Sequence, residues 1–349
     1  MKEVDRSLVG LPDFKSGERL KKSLVGSIPM HFRQFRFINK LNLKMIDSFK
    51  IKIIVTLFLI FASFSSAKGE NAYKKFTDET NRVVILKSFP PKKIISLSPN
   101  VTEILFKLGL DNEIIGVTKE CNFPADTAKK TRVGDYVNIN MELLVSLAPD
   151  LIIISAEGDA RGQTENMERL SLPVYAVKTK GLADLIKTIK DIGAVTGKEE
   201  EGRALAKTVE DEVAFIKNSL KDVKRKSVFC AVGVAPLIGA GPKTLIGDVI
   251  KTCGGDNIID ENAPDYPMIN IEELYVKEPD VILLSSMGSE VVKASDNSEL
   301  KLFSNLKAAK NGALFIVNAD ILCRPSYRIV DALRDIAKKM YPDKFNFAE

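Results

Sequence analysis

The sequence predicts an α/β protein of two lobes, each with a central parallel sheet, joined by one long helix. Three observations predict it. From residue 94 onward, short apolar stretches alternate with amphipathic ones. One sixteen-residue segment occurs twice, 130 positions apart. Between the two copies runs an uninterrupted helical stripe.

In chain order, residues 1–44 form a basic extension and 45–67 read as a signal peptide that begins at Met45. Ile53 to Phe64 is an apolar run of about twelve residues, too short to span a bilayer comfortably. Lys50 and Lys52 precede it, and Ser65-Ser66-Ala67 follows, so export with cleavage after Ala67 is expected. No cysteine follows the run to carry a lipid. Residues 68–91 are polar, end in Pro90-Pro91, and read as a linker.

The first lobe spans 92–195. Ile94 to Leu97 is a short buried strand, and Ser98-Pro99-Asn100 turns it into a helix over Val101–Leu108 that Gly109 ends. Strands follow at Glu113–Val117, Leu151–Ile154 and Val174–Val177, with helices at Met141–Leu147 and around Met167–Leu170. These strands are apolar on both faces, as in a sheet covered by helices on each side. Ligands of such sheets collect at the carboxyl ends of the strands. That edge holds Ser98, Asn100, Glu120 to Phe123, Tyr136 and Glu157.

The linking element occupies 196–225. Leu205, Val209, Val213, Ile216 and Leu220 fall on one helical stripe between Glu199 and Lys224. Three glutamates open it and two lysines close it, as the helix dipole prefers. At 1.5 Å per residue it would measure roughly 35–40 Å, a rigid strut.

The second lobe spans 226–349. Ser227–Val234 is a strand, Ile238–Pro242 a glycine-rich loop, and Thr244–Thr252 a helix. The loop lacks the spacing and the Lys-Ser/Thr of a nucleotide cradle and reads as a tight turn at a cleft. Leu314–Val317 is the last strand, followed by Arg324 to Arg328 and a helix over Ile329–Met340.

The repeat pairs NMELLVSLAPDLIIIS (140–155) with NIEELYVKEPDVILLS (270–285), with seven identities. Each copy is a helix, a Pro-Asp turn and a buried strand. A weaker echo pairs Gly109-Leu110-Asp111-Asn112 with Gly254-Gly255-Asp256-Asn257.

Bulk composition removes several functions. The length of 349 suggests about two domains. The net charge of +5 belongs to the leader, where residues 1–67 carry 12 basic and 5 acidic residues. The remainder carries 39 and 41, so no nucleic-acid partner is expected. The one histidine, His31, also lies in the leader. The body therefore has no imidazole for a Ser-His-Asp triad or a zinc site. Cys121, Cys230, Cys253 and Cys323 allow three disulfide pairings, and Cys230 sits in a buried strand. An enzyme that used Cys121 and Cys323 as cluster ligands is the alternative of a different class. A sensor domain that signals through a partner is a third.

The stretches IISLSPNVTEILFKLG, ECNFP, KTCGGDNII and ADILCRPSYRIVDAL, with the 140–155 segment, resemble the periplasmic-binding-protein family that delivers cobalamin, ferric siderophores and haem to ABC importers. The likeness is nearest to its cobalamin branch and covers residues 92 to about 340. It implies the class III architecture of two lobes on one long helix, a monomeric periplasmic binder rather than an enzyme, no cofactor, and a ligand in the interlobe cleft. Carried over by motif, the ligand contacts are Ser98, Asn100, Phe123 and Tyr136 from the first lobe, and Ile238, Tyr266, Arg324 and Tyr327 from the second. Aromatic walls suit a flat, amide-fringed corrinoid. The chain departs from the cobalamin binders in having no tryptophan. Haem held by a tyrosine phenolate, with Tyr136, Tyr266 or Tyr327 as candidates, and a ferric siderophore stay open. The resemblance also implies that Glu142 and Glu272 dock onto arginines of the inner-membrane permease. A place in the first turn of a helix favours the same acids. Cys253 resembles a family cysteine whose partner position here is Ala337.

Overall fold

The computed structural model describes residues 73–156, 160–286 and 301–345. The expected leader, residues 1–67, lies outside the described residues.

The described chain opens on an antiparallel hairpin, β1 (Lys74–Thr77) and β2 (Val83–Leu86). The stretch expected to be a linker therefore carries structure of its own. Val84 and Leu86 point inward while Val83 and Ile85 face water, the alternation of a half-buried strand. The turn between the strands is anchored: Glu79 N donates to the Ala176 carbonyl at 3.1 Å, and Ala176 N donates to Asp78 Oδ2 at 3.2 Å.

The first lobe has five strands: β3 (Ile94–Ser96), β4 (Ile114–Val117), β5 (Thr131–Arg132), β6 (Leu151–Ser155) and β7 (Val174–Val177). All pair in parallel, in the order β5-β4-β3-β6-β7. Its helices are α1 (Pro99–Lys107), α2 (Met141–Leu147), α3 (Ala160–Arg169) and α4 (Leu182–Thr196). The long helix α5 covers Glu199–Ser219, 21 residues. That is about 30 Å, shorter than expected. It stops at Leu220, whose backbone leaves the helical region, yet Leu205, Val209, Ile216 and Leu220 are all buried in one core and Val213 packs against it.

The second lobe contains β8 (Lys226–Val234), β9 (Leu237–Gly239), β10 (Gly255–Asn257), β11 (Val281–Ser286) and β12 (Leu314–Asn318). The order β10-β8-β11-β12 is parallel throughout. The start of the expected glycine loop is instead strand β9, antiparallel to β8. The helices are α6 (Leu245–Thr252), α7 (Ile271–Lys277), α8 (Lys307–Lys310), α9 (Ala319–Leu322) and α10 (Ile329–Met340).

The repeat is a repeat of structure. Asn140 and Asn270 each cap a helix with their side chains. Ala148 and Glu278 each end it with left-handed backbone. Asp150 Oδ2 then accepts from Lys92 N and Lys93 N, at 2.9 and 3.0 Å. Asp280 Oδ2 accepts from Ser227 N and Oγ, both at 2.9 Å. Each Pro-Asp turn thus ties the repeat to the start of the neighbouring strand, β3 or β8. The weaker echo holds as well, because Gly109 and Gly254 both take positive φ just after a helix.

Each sheet presents alternate residues to two layers. Ile94, Leu151, Ile153, Val228, Cys230, Val281 and Leu283 join one core under α1, α4, α5, α6 and α10 that runs unbroken through both lobes. Ile95, Ile152 and Ile154 face a separate core under α2, and Phe229, Ile282 and Leu284 another under α7. Helices α4 and α5 meet at Gly193 and Gly202: a Cβ on Gly202 would stand 2.9 Å from Gly193 Cα. Cys121, Cys230, Cys253 and Cys323 are all free thiols.

Candidate ligand-binding site

The carboxyl ends of the two sheets face a common cleft. From the first lobe, β4 leads into the 118–124 loop, β6 into Ala156, and β7 into Lys178-Thr179-Lys180. Arg132 holds the 118–124 loop, its Nη1 donating to the carbonyls of Thr118 at 2.7 Å and Cys121 at 3.0 Å. Cys121 is buried and accepts from Thr102 Oγ1 at 3.1 Å. The loop thereby presents Asn122 and Phe123 outward.

A cavity of about 280 Å³ opens between the lobes. The first lobe contributes Ala156, Thr179 and Lys180, and the second contributes Lys243, Tyr266 and Cys323. Tyr266 is 53% exposed, a broad ring available as a wall. Lys180 Nζ lies 3.7 Å from Asp265 across the lobe boundary. A larger hollow of about 540 Å³ lies between α5 and α10 and contains none of the expected site residues.

Beside the cavity the lobes are bound through a buried carboxylate. Glu103 on α1 is about 1% exposed. Its Oε1 accepts from Arg324 Nη1 at 3.3 Å and Arg328 Nη1 at 3.2 Å, and its Oε2 accepts from Ser326 Oγ. Burial pushes the Glu103 carboxyl up, against the hydrogen bond from Ser326 and the charges of the two arginines. Arg324 also donates to Asn122 Oδ1 at 2.6 Å and lies 2.9 Å from Asp320. The Arg328 guanidinium rests 3.9 Å above the Phe123 ring, a cation–π contact.

The eight expected ligand contacts fall into groups. Tyr266 lines the cavity, and Ile238 on β9 bridges to Met268 next to it. Phe123 and Arg324 belong to the interlobe junction, where the guanidinium of Arg324 is committed to protein carboxylates. Tyr327 lies under Lys107 Nζ at 5.3 Å, and burial together with nearby Glu103 raises its phenol. That direction works against its acting as a phenolate. Tyr136 is exposed in the turn between Gly134 and Ile139 that follows β5, where its carbonyl accepts from Gln163 Nε2.

Ser98 serves the structure of the lobe. It is buried, and its Oγ accepts from Ser155 N at 2.8 Å, tying β3 to the end of β6. It does not cap α1 with its side chain. Asn100 lies one turn before Glu103 on the same face of α1. Its Nδ2 is buried without a hydrogen-bond partner among the described residues, an unused donor of a kind that is rarely left buried. Glu142 and Glu272 are exposed in the first turns of α2 and α7. Sequence reasoning missed Glu103, Lys178, Lys180 and Lys243.

Residues 94–321 match the model of the family described as periplasmic binding protein. The chain belongs to the periplasmic binding protein family. This binding protein is 27% identical over 253 residues to the vitamin B12-binding protein of Vibrio cholerae, covering 72% of this chain and 90% of that one. It is 28% identical over 277 residues to an uncharacterized ABC transporter substrate-binding lipoprotein of Bacillus subtilis, covering 77% and 85%. The crystal structure of the periplasmic vitamin B12-binding protein of Vibrio cholerae matches with a TM-score of 0.65 and 26% identity, covering 74% of this chain and 99% of that one. A periplasmic haem-binding protein from Roseiflexus, at 22% identity and a TM-score of 0.64, shares the fold. The class III architecture and the binding role, as opposed to an enzymatic one, follow from this membership. Among the described residues, no three histidine, cysteine or acidic side chains gather where a metal would sit.

Proposed function

We propose that this binding protein captures a corrinoid in the interlobe cleft outside the inner membrane and hands it to the permease of an ABC importer. The observation that carries the reading is the cavity at the facing strand ends, walled by Tyr266 from one lobe and by Ala156 and Thr179 from the other. At about 280 Å³ it takes the edge of a flat macrocycle rather than the whole of one. Asn100 Nδ2 supplies a buried donor on the lobe-facing side of α1 for an amide carbonyl. Relatives with the vitamin B12-binding name support the choice.

The test is isothermal titration of the chain from Lys68 onward with cyanocobalamin, haemin and a ferric siderophore. One-to-one binding of cyanocobalamin is expected, weakened by Tyr266→Ala. Binding of haemin alone, with a phenolate absorption band lost in Tyr136→Phe or Tyr266→Phe, would replace the corrinoid by haem. The lysines at the cavity suit haem carboxylates or an anionic ferric siderophore as well, which keeps that second reading of the cargo in the test.

A further inference from the structure

The cavity has a chemical bias that the motif resemblance did not indicate. Three lysines line it: Lys178 and Lys180 directly after β7, and Lys243 just before α6 of the opposite lobe. One carboxylate, Asp265, faces them and lies 3.7 Å from Lys180 Nζ. Among the described residues, Lys178 and Lys243 have no ion-pair partner. The wall is therefore net positive, with three lysines against one carboxylate. What distinguishes these lysines is that all three converge on one cavity from both lobes.

The lysines stand on both sides of the lobe boundary, and their positions are fixed from behind. Lys178 N donates to Glu79 Oε2, and Lys180 N donates to Asp184 Oδ2 at 3.0 Å. The chain at Lys243 is set by Thr244, which caps α6 with its side chain and donates from Oγ1 to the Gly241 carbonyl at 2.8 Å. Like charges gathered from two lobes around one void repel each other unless something negative lies between them. We infer that Lys178, Lys180 and Lys243 form an anion subsite in the cleft that takes a phosphate or carboxylate group of the cargo and holds both lobes to it. The inference rests on the cleft as the cargo site and adds what the cargo must carry. Ammonium groups act here as flexible point charges and favour an oxyanion without dictating its shape. In a corrinoid the group is the phosphodiester of the nucleotide loop, and in haem it is a propionate carboxylate.

Paired ligands separate these sources from each other and from the cargo assignment. Cyanocobalamin carries the phosphodiester and dicyanocobinamide lacks it, while haemin carries free carboxylates and its dimethyl ester does not. Calorimetry at low and at 0.5 M salt should show the acid-bearing member of the bound pair roughly ten-fold tighter at low salt, with the gap narrowing as salt rises. Lys178→Gln and Lys243→Gln should each close most of that gap and leave the neutral member unchanged. Asp265→Asn, which removes the opposing carboxylate, should widen it. Equal affinities within the bound pair, or lysine variants that bind both members as the wild type does, overturn the subsite while leaving the cargo reading intact.

Silence from all four macrocycles overturns the cargo reading instead. The subsite is then read with inorganic phosphate at constant ionic strength. A rise in thermal midpoint that Lys243→Gln abolishes supports it, and no rise overturns it.

Discussion

Glu103 Oε1 and Arg324 Nη1 meet 3.3 Å apart across the lobe boundary, and the carboxylate is sealed from water. With Arg328 and Ser326 on the same carboxylate, the first lobe's α1 is bound to the segment that leads into α10. Removing Glu103 leaves two guanidinium groups facing an empty, desolvated site. Breaking a buried pair from one side typically costs about 3–5 kcal/mol. Glu103→Ala is expected to lose that much in urea unfolding, and a loss under about 1 kcal/mol would show the junction to be incidental. Arg324→Lys is expected to lower stability more than ligand affinity, because Arg324 serves Glu103 and Asp320 before any ligand.

The contact of Gly202 with Gly193 gives a prediction whose sign opposes the usual rule. Glycine to alanine inside a helix normally gains about 1 kcal/mol. Here the new Cβ would lie 2.9 Å from Gly193 Cα and 3.1 Å from the Ile189 carbonyl. Both neighbours are backbone and yield little, so overpacking at a cost of about 1–3 kcal/mol dominates. Gly202→Ala should therefore lower the urea midpoint, whereas Ala204→Gly would lower it through propensity alone. A more stable G202A protein would show that α5 shifts easily on α4.

Much of the fold was legible because the chain states it twice. The Asn cap, the Pro-Asp turn and the apolar strand recur 130 residues apart, and matched residues make matching bonds in the two copies. What escaped was mostly short or lacked a contrast to mark it. The hairpin at 74–86 has only four residues per strand, and half of β2 and nearly all of β1 face water. Helix α4 carried a legible signal in Leu182, Leu185, Ile189 and Ile192, but it adjoins the longer stripe of α5. The site was harder. Ser98 and Arg324 lie in the right motifs, yet their polar atoms are taken up by Ser155 N and by Glu103, bonds formed between distant parts of the chain. Lys178 and Lys180 were in principle readable, since a basic pair directly after a buried parallel strand must stand at its carboxyl end.

Acid behaviour should report on the Pro-Asp turns. The N–H and O–H of Ser227 donate to Asp280 and hold its carboxyl below the ordinary value of 3.8. The folded state then binds fewer protons than the unfolded one between those two values. Its stabilising contribution is complete above the ordinary value and is lost as pH falls through the folded one. The stability difference between wild type and Asp280→Asn should be constant from about pH 7 to 5 and shrink as pH drops toward about 3. A difference that does not change with pH would mean that the carboxylate's charge plays no part in holding β8.

Glu142 and Glu272 occupy the same place in the two repeat helices, and among the described residues neither has an ion-pair partner. Local stability gives each acid a modest role, and docking is the further role proposed for them. An exposed acid in the first turn contributes about 0.3–1 kcal/mol through the helix dipole, and Glu273, not Glu272, closes the capping box of α7. Two equivalent charges on opposite lobes are well placed to orient the protein on a two-fold partner, since complementary charge sets encounter rate and register. The double reversal Glu142→Arg with Glu272→Arg should leave ligand affinity unchanged and lower the unfolding free energy by about 1–2 kcal/mol. It should also abolish association with the cognate permease in nanodiscs at low salt. Retained association in the double variant would assign both acids to helix stability and move the docking surface elsewhere on the lobes.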